Sequence, residues 1–342
     1  MLQKEKIVEA GKLVKNSQNI ILLTHFNPDG DAIGSITGLY GFLIQLKKEE
    51  AVKMILPNAQ PDFLKWMPHS KKLMNAEQHL KKANELILNA DLIISLDFNT
   101  PARINDLEAS LRNSKAIKIT LDHHLQPDDY ANLILSDVSA SSTCQMVFDF
   151  AEQLGWKNYL NKDIAESLYT GIMTDTGSFR FDSCTGTTHR IVGELIDAGV
   201  DKSKIHGNIY DTNSENRLRL LGKLLHEKLE VLSDYRTVFL SLNAAEQAQF
   251  EMKKGDTEGF VNYGLSIENI VLSVFFVERE GEVKISFRSK GTFDVNSFAR
   301  KYFNGGGHKN ASGANVKKGM DEVISEFVSA IKLYKDELEN TV

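Results

Sequence analysis

Cysteine is scarce in this chain, with only Cys144 and Cys184 among 342 residues. The two lie too far apart in sequence for any of the short spacings that bind metals. Two cysteines also do not make the disulfide framework that is typical of small secreted domains. We therefore expect both to be small packing residues in a protein of the reducing cytoplasm.

Long hydrophobic runs are also missing. No apolar stretch approaches the roughly 20 residues that a helix needs to span a bilayer, which argues against a membrane partner. The first residues, Met1 to Lys6, mix charged and apolar side chains and predict an amphipathic helix rather than a signal peptide.

An excess of positive charge is absent as well, since 40 Lys and Arg face 46 Asp and Glu, for a net charge of −6. Binding of long duplex nucleic acid needs a basic surface that neutralises many phosphates, so this composition argues against it. Nucleotides and short single-stranded RNA or DNA oligonucleotides need only a few local cations, and bound metals can supply them. A chain of this length that is 42% hydrophobic and 25% charged is typical of a soluble protein with two domains.

What the chain does contain is, first, a ligand-rich loop directly after a short apolar run. Residues 19–23 predict a buried strand and residues 32–46 a helix, so His25, Asp29 and Asp31 would lie at the carboxyl end of a strand. Imidazole and carboxylate donors on a tight turn favour a divalent metal site. An Asp- and Gly-rich turn that caps the helix is the structural alternative.

Three further clusters of metal-ligand residue types follow other apolar runs. They are Asp97 after residues 91–96, Asp122-His123-His124 after residues 116–121, and Asp175 after residues 168–174. A single aspartate at such a place is usually a cap or turn residue, but adjacent histidines seldom serve packing. Because the clusters recur at equivalent places, we expect the ligands to gather along one edge of a sheet.

The order of the elements predicts an α/β fold with two domains. Strand and helix patterns alternate up to residue 204, which indicates a mainly parallel sheet flanked by helices. A charged amphipathic segment at 205–230 predicts a helical linker. Residues 231–342 then form a smaller, β-rich α/β domain closed by a helix at 320–338. Further predicted elements are strands at 52–56, 132–135, 237–242, 270–278 and 283–289, and helices at 141–154, 163–173 and 187–197.

The C-terminal domain carries two polar features. In the strand at 282–289, alternation places Lys284, Ser286 and Arg288 on one face, either as a solvated face or as a binding face. Residues 304–313 form a glycine-rich loop in which Gly305, Gly306 and Gly307 precede His308. Successive glycines let backbone N–H groups approach an anion closely, although glycine triplets are often simply flexible turns.

Taken together, the four ligand clusters resemble motifs I to IV of the DHH phosphoesterase superfamily, and the glycine-rich loop resembles the GGGH loop of its DHH-associated domain. The similarity spans residues 19–315, and the tripeptide at 122–124 matches the signature completely. Length and two-domain plan most resemble the small bacterial members that degrade nano-RNA and dephosphorylate 3′-phosphoadenosine 5′-phosphate (pAp). A homodimer is expected by analogy.

The resemblance implies a role for each motif residue. One metal would be held by His25, Asp29 and Asp97, the other by Asp31, Asp97 and His123, with Asp175 on one or both. Asp122 would fix the conformation of its loop or the orientation of the His123 imidazole, and His124 would face the phosphate. Arg103 is a further candidate for binding the phosphate, and an ordinary exposed arginine is the alternative. The distal part of the substrate would be held by Arg288, Ser289, Gly305, Gly306, Gly307 and His308. Mn²⁺ is the expected metal, and Mg²⁺, Co²⁺ or Zn²⁺ also suits the ligands.

The implied activity is two-metal hydrolysis of phosphate esters, as an exoribonuclease that releases 5′-mononucleotides from nano-RNA or dinucleotides and as a pAp phosphatase. Exopolyphosphatase and manganese inorganic pyrophosphatase are the enzymatic alternatives. A single-strand DNA exonuclease of the superfamily would normally carry a further domain. A non-catalytic nucleotide sensor is the alternative of a different class, although the intact ligand set argues against it.

Overall fold

The computed structural model describes residues 3–253 and 255–341. The chain separates into two compact units, one that ends at Thr212 and one that begins at Asn213. This boundary lies within the predicted linker, residues 205–230.

The first unit is built on a six-stranded, entirely parallel sheet in the order β3-β2-β1-β4-β5-β6. Its strands are β1 (Ile20–Leu23), β2 (Val52–Leu56), β3 (Leu73–Asn75), β4 (Leu92–Leu96), β5 (Ile117–Asp122) and β6 (Leu133–Ser136). The chain runs outward in one direction through β2 and β3 and in the other through β4 to β6. Open sheets of this kind bind ligands beyond the carboxyl ends of the strands at the point where the order reverses, which here lies between β1 and β4.

Short runs of Ile and Leu form the central strands because both faces of the sheet are covered. Successive residues of β1 point to opposite sides, so Ile20 and Leu22 join one hydrophobic cluster while Ile21 and Leu23 join another. The covering helices of the first unit are α1 (Lys4–Asn16), α2 (Gly30–Leu46), α3 (Ala76–Leu88), α4 (Glu108–Asn113), α5 (Thr143–Gln153), α6 (Lys162–Asp175), α7 (Gly186–Asp197) and α8 (Lys202–Tyr210).

Glycines allow α2 and α6 to pack unusually closely. A Cβ at Gly34 would lie 2.6 Å from the carbonyl oxygen of Ser167, and one at Gly171 would lie 2.1 Å from Sγ of Cys144 and 3.0 Å from a carboxylate oxygen of Asp31. Neither position has room for a larger side chain. This close approach brings the first turn of α2 beside the last turns of α6.

The second unit contains a mixed six-stranded sheet in the order β11-β12-β10-β9-β8-β7, with one parallel pair, β8 and β9. Its strands are β7 (Glu230–Leu232), β8 (Thr237–Leu242), β9 (Leu272–Arg279), β10 (Glu282–Ser289), β11 (Gly306–His308) and β12 (Ala311–Val316). Its helices are α9 (Glu215–Glu227), α10 (Ala244–Gln249), α11 (Phe260–Gly264), α12 (Val295–Phe303), α13 (Met320–Ile331) and α14 (Lys335–Glu339). The predicted α/β class, with its parallel first sheet, is confirmed.

Several predicted elements differ in detail. The linker segment is two helices, because α8 ends at Tyr210 and the side chain of Ser214 caps a new helix by accepting from the backbone N–H of Arg217. The terminal helix stops at Ile331, and a 3₁₀ turn then places the Tyr334 ring 5.3 Å from that of Phe298.

The glycine-rich segment was expected to be a loop, but residues 306–308 form β11 and pair with β12. A Cβ at Gly307, whose φ is +147°, would lie only 2.5 Å from the carbonyl oxygen of Ala311. Glycine is therefore needed for strand contact at this position.

The predicted N-terminal helix is present as α1 from Lys4, and Met1 and Leu2 lie outside the described residues. Among the helices of the described ranges, none combines the length and the apolar character that a membrane crossing requires.

Candidate metal centre

The loop after β1 positions the first predicted ligand. His25 is buried, and its Nδ1 lies 2.9 Å from the carbonyl oxygen of Phe26. A proton on Nδ1 would satisfy that carbonyl and leave the Nε2 lone pair for a metal, which is how ligating histidines are commonly oriented. Nε2 lies 3.4 Å from Oδ2 of Asp97 and 3.9 Å from Oδ1 of Asp29. These three residues form a first ligand group.

A second ligand group surrounds Nε2 of His123, which follows β5. This atom lies 3.8 Å from Oδ2 of Asp31, 3.6 Å from Oδ1 of Asp97 and 3.5 Å from Oδ2 of Asp175. Asp175 ends helix α6, so it does not follow a strand as its apolar neighbours suggested. The close packing of α2 on α6 brings it to the same edge of the sheet as the other ligands.

Asp97 links the two groups, because its Oδ2 faces His25 while its Oδ1 faces His123. Its backbone has φ = +65°, a left-handed conformation that costs free energy in a residue other than glycine and is concentrated at functional sites. A carboxylate with each oxygen turned to a different ligand group is suited to bridging two cations.

Asp31 and Asp97 are buried and Asp175 is half-buried, and the pKa values of these three carboxyl groups reflect their surroundings. Burial, followed by the charge of Asp97, raises the pKa of Asp31 to about 7. Burial also raises the pKa of Asp175 well above its usual range. Burial acts against ionisation of Asp97 too, but the hydrogen bond from His25 and the nearby imidazoles lower its pKa.

The imidazoles show the complementary effect. Burial acts to lower the pKa of His123, but the charges of Asp175, Asp97 and Asp31 outweigh it and raise the pKa to about 9. The raised pKa values of Asp31, His123 and Asp175 indicate that the site favours added positive charge. The ligand atoms of His25, Asp29 and Asp97 lie within 4.8 Å of one another, as do those of Asp31, Asp97 and His123. Such oxygen and imidazole donors fit divalent cations, which would replace bound protons.

The N-terminus of α5 holds two of the carboxylates in place, a contribution that was not predicted from the sequence. The backbone N–H groups of Thr143 and Cys144 donate to the two oxygens of Asp31, at 2.6 and 2.8 Å. The Thr143 hydroxyl donates to Oδ1 of Asp97 at 3.0 Å. The only sequence signal was the cap-forming residue Ser142 at the start of a predicted helix.

The rest of the tripeptide forms a chain of polar contacts. Oδ1 of Asp122 lies 2.7 Å from Nδ1 of His124, so this carboxylate orients His124, whereas the expected partner was His123. On the other side of the ring, Nη1 of Arg103 lies 2.9 Å from Nε2 of His124. The structure thus brings the three predicted catalytic residues Arg103, His124 and Asp122 into one row.

The predicted substrate residues of the second unit differ in how they are engaged. Val283, Ile285 and Phe287 are buried, as the strand pattern predicted, while Arg288 on the opposite face is half-buried and donates to the carbonyl of Phe287 at 2.9 Å. The next residue along β10 has a structural role.

The hydroxyl of Ser289 donates to the carbonyl of Phe293 at 2.7 Å and accepts from Nδ2 of Asn310 at 2.9 Å. These bonds tie the end of β10 to the segment before β12. Gly305 is fixed sterically, since a Cβ there would lie 2.4 Å from the carbonyl oxygen of Gly313. Gly306, Gly307 and His308 all lie on β11.

Comparison with known proteins gives the same two-part division. The DHH family N-terminal domain matches residues 19–172 and the DHHA1 domain matches residues 237–337. The bifunctional oligoribonuclease and PAP phosphatase NrnA of Bacillus subtilis is 32% identical, over 92% of this chain and 95% of that protein. The protein of the same name from Thermus thermophilus is 31% identical, over 92% of this chain and 89% of its own.

A solved structure extends the likeness to the whole fold. The crystal structure of an exopolyphosphatase-related protein from Bacteroides fragilis superposes with a TM-score of 0.95 at 41% identity, covering 99% of both chains. The ligand geometry, the two domain matches and these relatives agree, and the chain belongs to the DHH family of phosphoesterases, with a DHHA1 domain in its second unit.

Proposed function

We propose that the protein uses two divalent cations, Mn²⁺ in the first place and Mg²⁺ or Co²⁺ as substitutes, to hydrolyse phosphate esters in short nucleotides. Its substrates are nano-RNA and dinucleotides, from which it releases 5′-mononucleotides, and pAp, from which it removes the 3′-phosphate. The observation that carries this proposal is the placement of Asp97, with one carboxylate oxygen toward each ligand group.

In this proposal the chain supplies a fixed frame for the cations. His25, Asp29 and Asp97 hold one of them, and Asp31, Asp97, His123 and Asp175 hold the other. When bound, the cations act as Lewis acids on the phosphate oxygens and lower the pKa of a water molecule. Thr143 and the N-terminus of α5 keep Asp31 and Asp97 in register by the bonds described above.

Hydrolysis adds water across a P–O bond, so the leaving oxygen needs a proton. We assign that donation to Nε2 of His124, whose Nδ1 is held by Asp122 at 2.7 Å. A carboxylate in this position fixes the orientation of the ring. Arg103, now 2.9 Å from the same Nε2, would turn to the phosphate when substrate binds, since a guanidinium forms strong charge-assisted hydrogen bonds with phosphate oxygens.

The substrate class rests on the named activities of the relatives and on charge. Two NrnA proteins that match along most of their length are named oligoribonuclease and PAP phosphatase. A net charge of −6 favours short single-stranded substrates over long duplexes. We assign the distal part of the substrate to Arg288, His308 and the glycines before it. We also propose a cytoplasmic location, which suits the unpaired Cys144 and Cys184, and a homodimer.

Exopolyphosphatase activity is the second candidate, because the B. fragilis protein is named as exopolyphosphatase-related. A single panel tests both. With Mn²⁺ present, we expect turnover of pAp, 5′-phosphorylated dinucleotides and a short RNA, and little turnover of pyrophosphate or polyphosphate. Turnover of polyphosphate alone would favour the second candidate, and turnover of none would favour a nucleotide sensor.

A further inference from the structure

The turn after Asp175 has an unusual backbone. Gly177, Ser178 and Phe179 have φ values of +55°, +62° and +66° in succession. Left-handed conformations are uncommon outside glycine, and a bulky residue there is a genuine outlier. Such strain persists only where the surrounding structure enforces it, and it is concentrated at functional sites.

Thr176 enforces this turn. The residue is fully buried, and its carbonyl oxygen accepts from the backbone N–H groups of Arg180 and Phe181 at 2.9 and 3.1 Å. Its hydroxyl accepts from the N–H of Phe179 at 3.1 Å and donates to the carbonyl of Ile172 at 2.6 Å. One buried threonine therefore anchors the strained segment to helix α6.

The turn sends neighbouring aromatic side chains in different directions. Phe179 points into the unit, where its ring lies 5.5 Å from that of Tyr169. Phe181 is 47% exposed, and its ring covers Gly177 so closely that a Cβ there would lie 2.4 Å from Cζ. Arg180 is exposed beside it, with Nε bonded to the carbonyl of Gly177 at 2.9 Å.

This surface lies next to the metal centre. Gly177, which the ring of Phe181 covers, is two residues from the ligand Asp175, so their Cα atoms are at most about 7.6 Å apart. One aromatic ring with one cation beside it matches the size of a single base, whereas a stable protein partner buries about 800 Å² on each side. A planar base next to a phosphate is the ligand that such a surface fits, because bases stack on aromatic rings and arginine adds a cation–π contribution.

We propose that Phe181, with Arg180 beside it, is the stacking platform for the nucleobase nearest the scissile phosphate. This inference rests on the proposed function and deepens it, since it makes the base a recognised part of the substrate. Polyphosphate and pyrophosphate have no base, so the platform would favour nucleotides over them.

The test uses the full-length, Mn²⁺-loaded protein and three substrates: 5′-phosphorylated diadenylate and its two versions that lack one adenine or the other. Phe181→Leu keeps an apolar side chain but removes the ring. Phe181→Trp keeps a ring. Tyr159→Leu is the matched control, since Tyr159 is also an exposed aromatic of the first unit, at 38%.

We expect Phe181→Leu to raise KM for diadenylate about fivefold or more, with kcat nearly unchanged. One of the two abasic substrates should have a raised KM already with the unaltered protein and show no further rise in Phe181→Leu. Phe181→Trp should retain the original KM, and Tyr159→Leu should have no effect. Equal KM values for Phe181→Leu and the unaltered protein on diadenylate, or an equal rise on all three substrates, would overturn the platform.

A binding measurement separates this inference from the proposed activity. In Phe181→Trp, AMP should quench the added tryptophan fluorescence, measured against the unaltered protein, whereas inorganic phosphate should not. Quenching without any turnover of diadenylate would keep the platform and reject the proposed function. Turnover without quenching or a change in KM would do the reverse.

Discussion

The metal centre of the first unit and the polar strands of the second unit are built in different ways. Around Asp97, the candidate ligands are held by hydrogen bonds to the surrounding structure: His25 by one carbonyl, Asp31 by two backbone N–H groups, and Asp97 by the Thr143 hydroxyl. In the second unit, the Ser289 hydroxyl bonds to Phe293 and Asn310 and so stabilises the sheet. The guanidinium of Arg288 donates to the carbonyl of Phe287, the preceding residue. If the proposed roles hold, the reaction depends on side chains fixed by the fold, and substrate choice depends on fewer groups with fewer bonds to the fold.

The strongest way to break this contrast is Asp97→Asn. An amide keeps the shape but removes the negative charge that the two proposed cations would share, so activity on dinucleotides should fall by about 10³-fold or more. Asp106→Asn, at an exposed aspartate of the same unit, is the control and should be fully active. Steady-state kinetics with Mn²⁺, together with circular dichroism to check the fold, decides the matter. Retained activity in Asp97→Asn would remove the bridging role.

Substitution of Thr143 tests whether the hydrogen bonds that hold the candidate ligands contribute to activity. Thr143→Ala removes the hydroxyl that donates to Oδ1 of Asp97. It should lower activity or Mn²⁺ affinity by roughly 10- to 100-fold, which is the usual effect of losing a hydrogen-bond partner of a metal ligand. Thr143→Ser retains the hydroxyl and should restore most of the loss. If Ser and Ala behave alike, the methyl packing of Thr143 matters and the hydrogen bond does not.

His308→Ala tests the proposed substrate-binding role of the second unit. A charge-assisted hydrogen bond to phosphate contributes about 1.5–3 kcal/mol, so KM for nucleotides should rise roughly tenfold or more. The Mn²⁺ content, measured by mass spectrometry of the metal, should remain that of the unaltered protein. Loss of bound metal would show that this residue belongs to the metal centre.

The smallest expected effect is the change with pH in the thermal stability of the cation-free protein. Asp31 and His123 both have raised pKa values in the fold, about 7 and about 9. A raised pKa means that the folded state binds the proton more tightly than the unfolded state, so stability is lost as pH rises through those values. Thermal melting of chelator-treated protein should therefore occur at lower temperature as pH rises from about 6 to about 9. Excess Mn²⁺ should reverse this trend, and an opposite slope without metal would refute the charge balance described above.

The candidate ligands could be picked out from the sequence because each follows an apolar run. For His25, Asp97 and His123 that run is a strand of the parallel sheet, whereas Asp175 ends helix α6 and reaches the same edge only through helix packing. Their division into two groups came from the family resemblance. Thr143 could not be predicted, because its contacts join residues 112 and 46 positions apart in the chain. That Asp122 contacts His124 and not His123 could not be predicted either, because it depends on the direction in which each side chain points. The glycine segment was mistaken for a loop because glycine composition does not reveal a close strand contact such as that of Gly307.

The number of Mn²⁺ ions bound per chain tests the central claim most directly. Native mass spectrometry of the unaltered protein, titrated with Mn²⁺, should reach two tightly bound ions per chain, and Asp97→Asn should weaken both. Saturation of the unaltered protein at a single ion would contradict the two-cation centre bridged by Asp97.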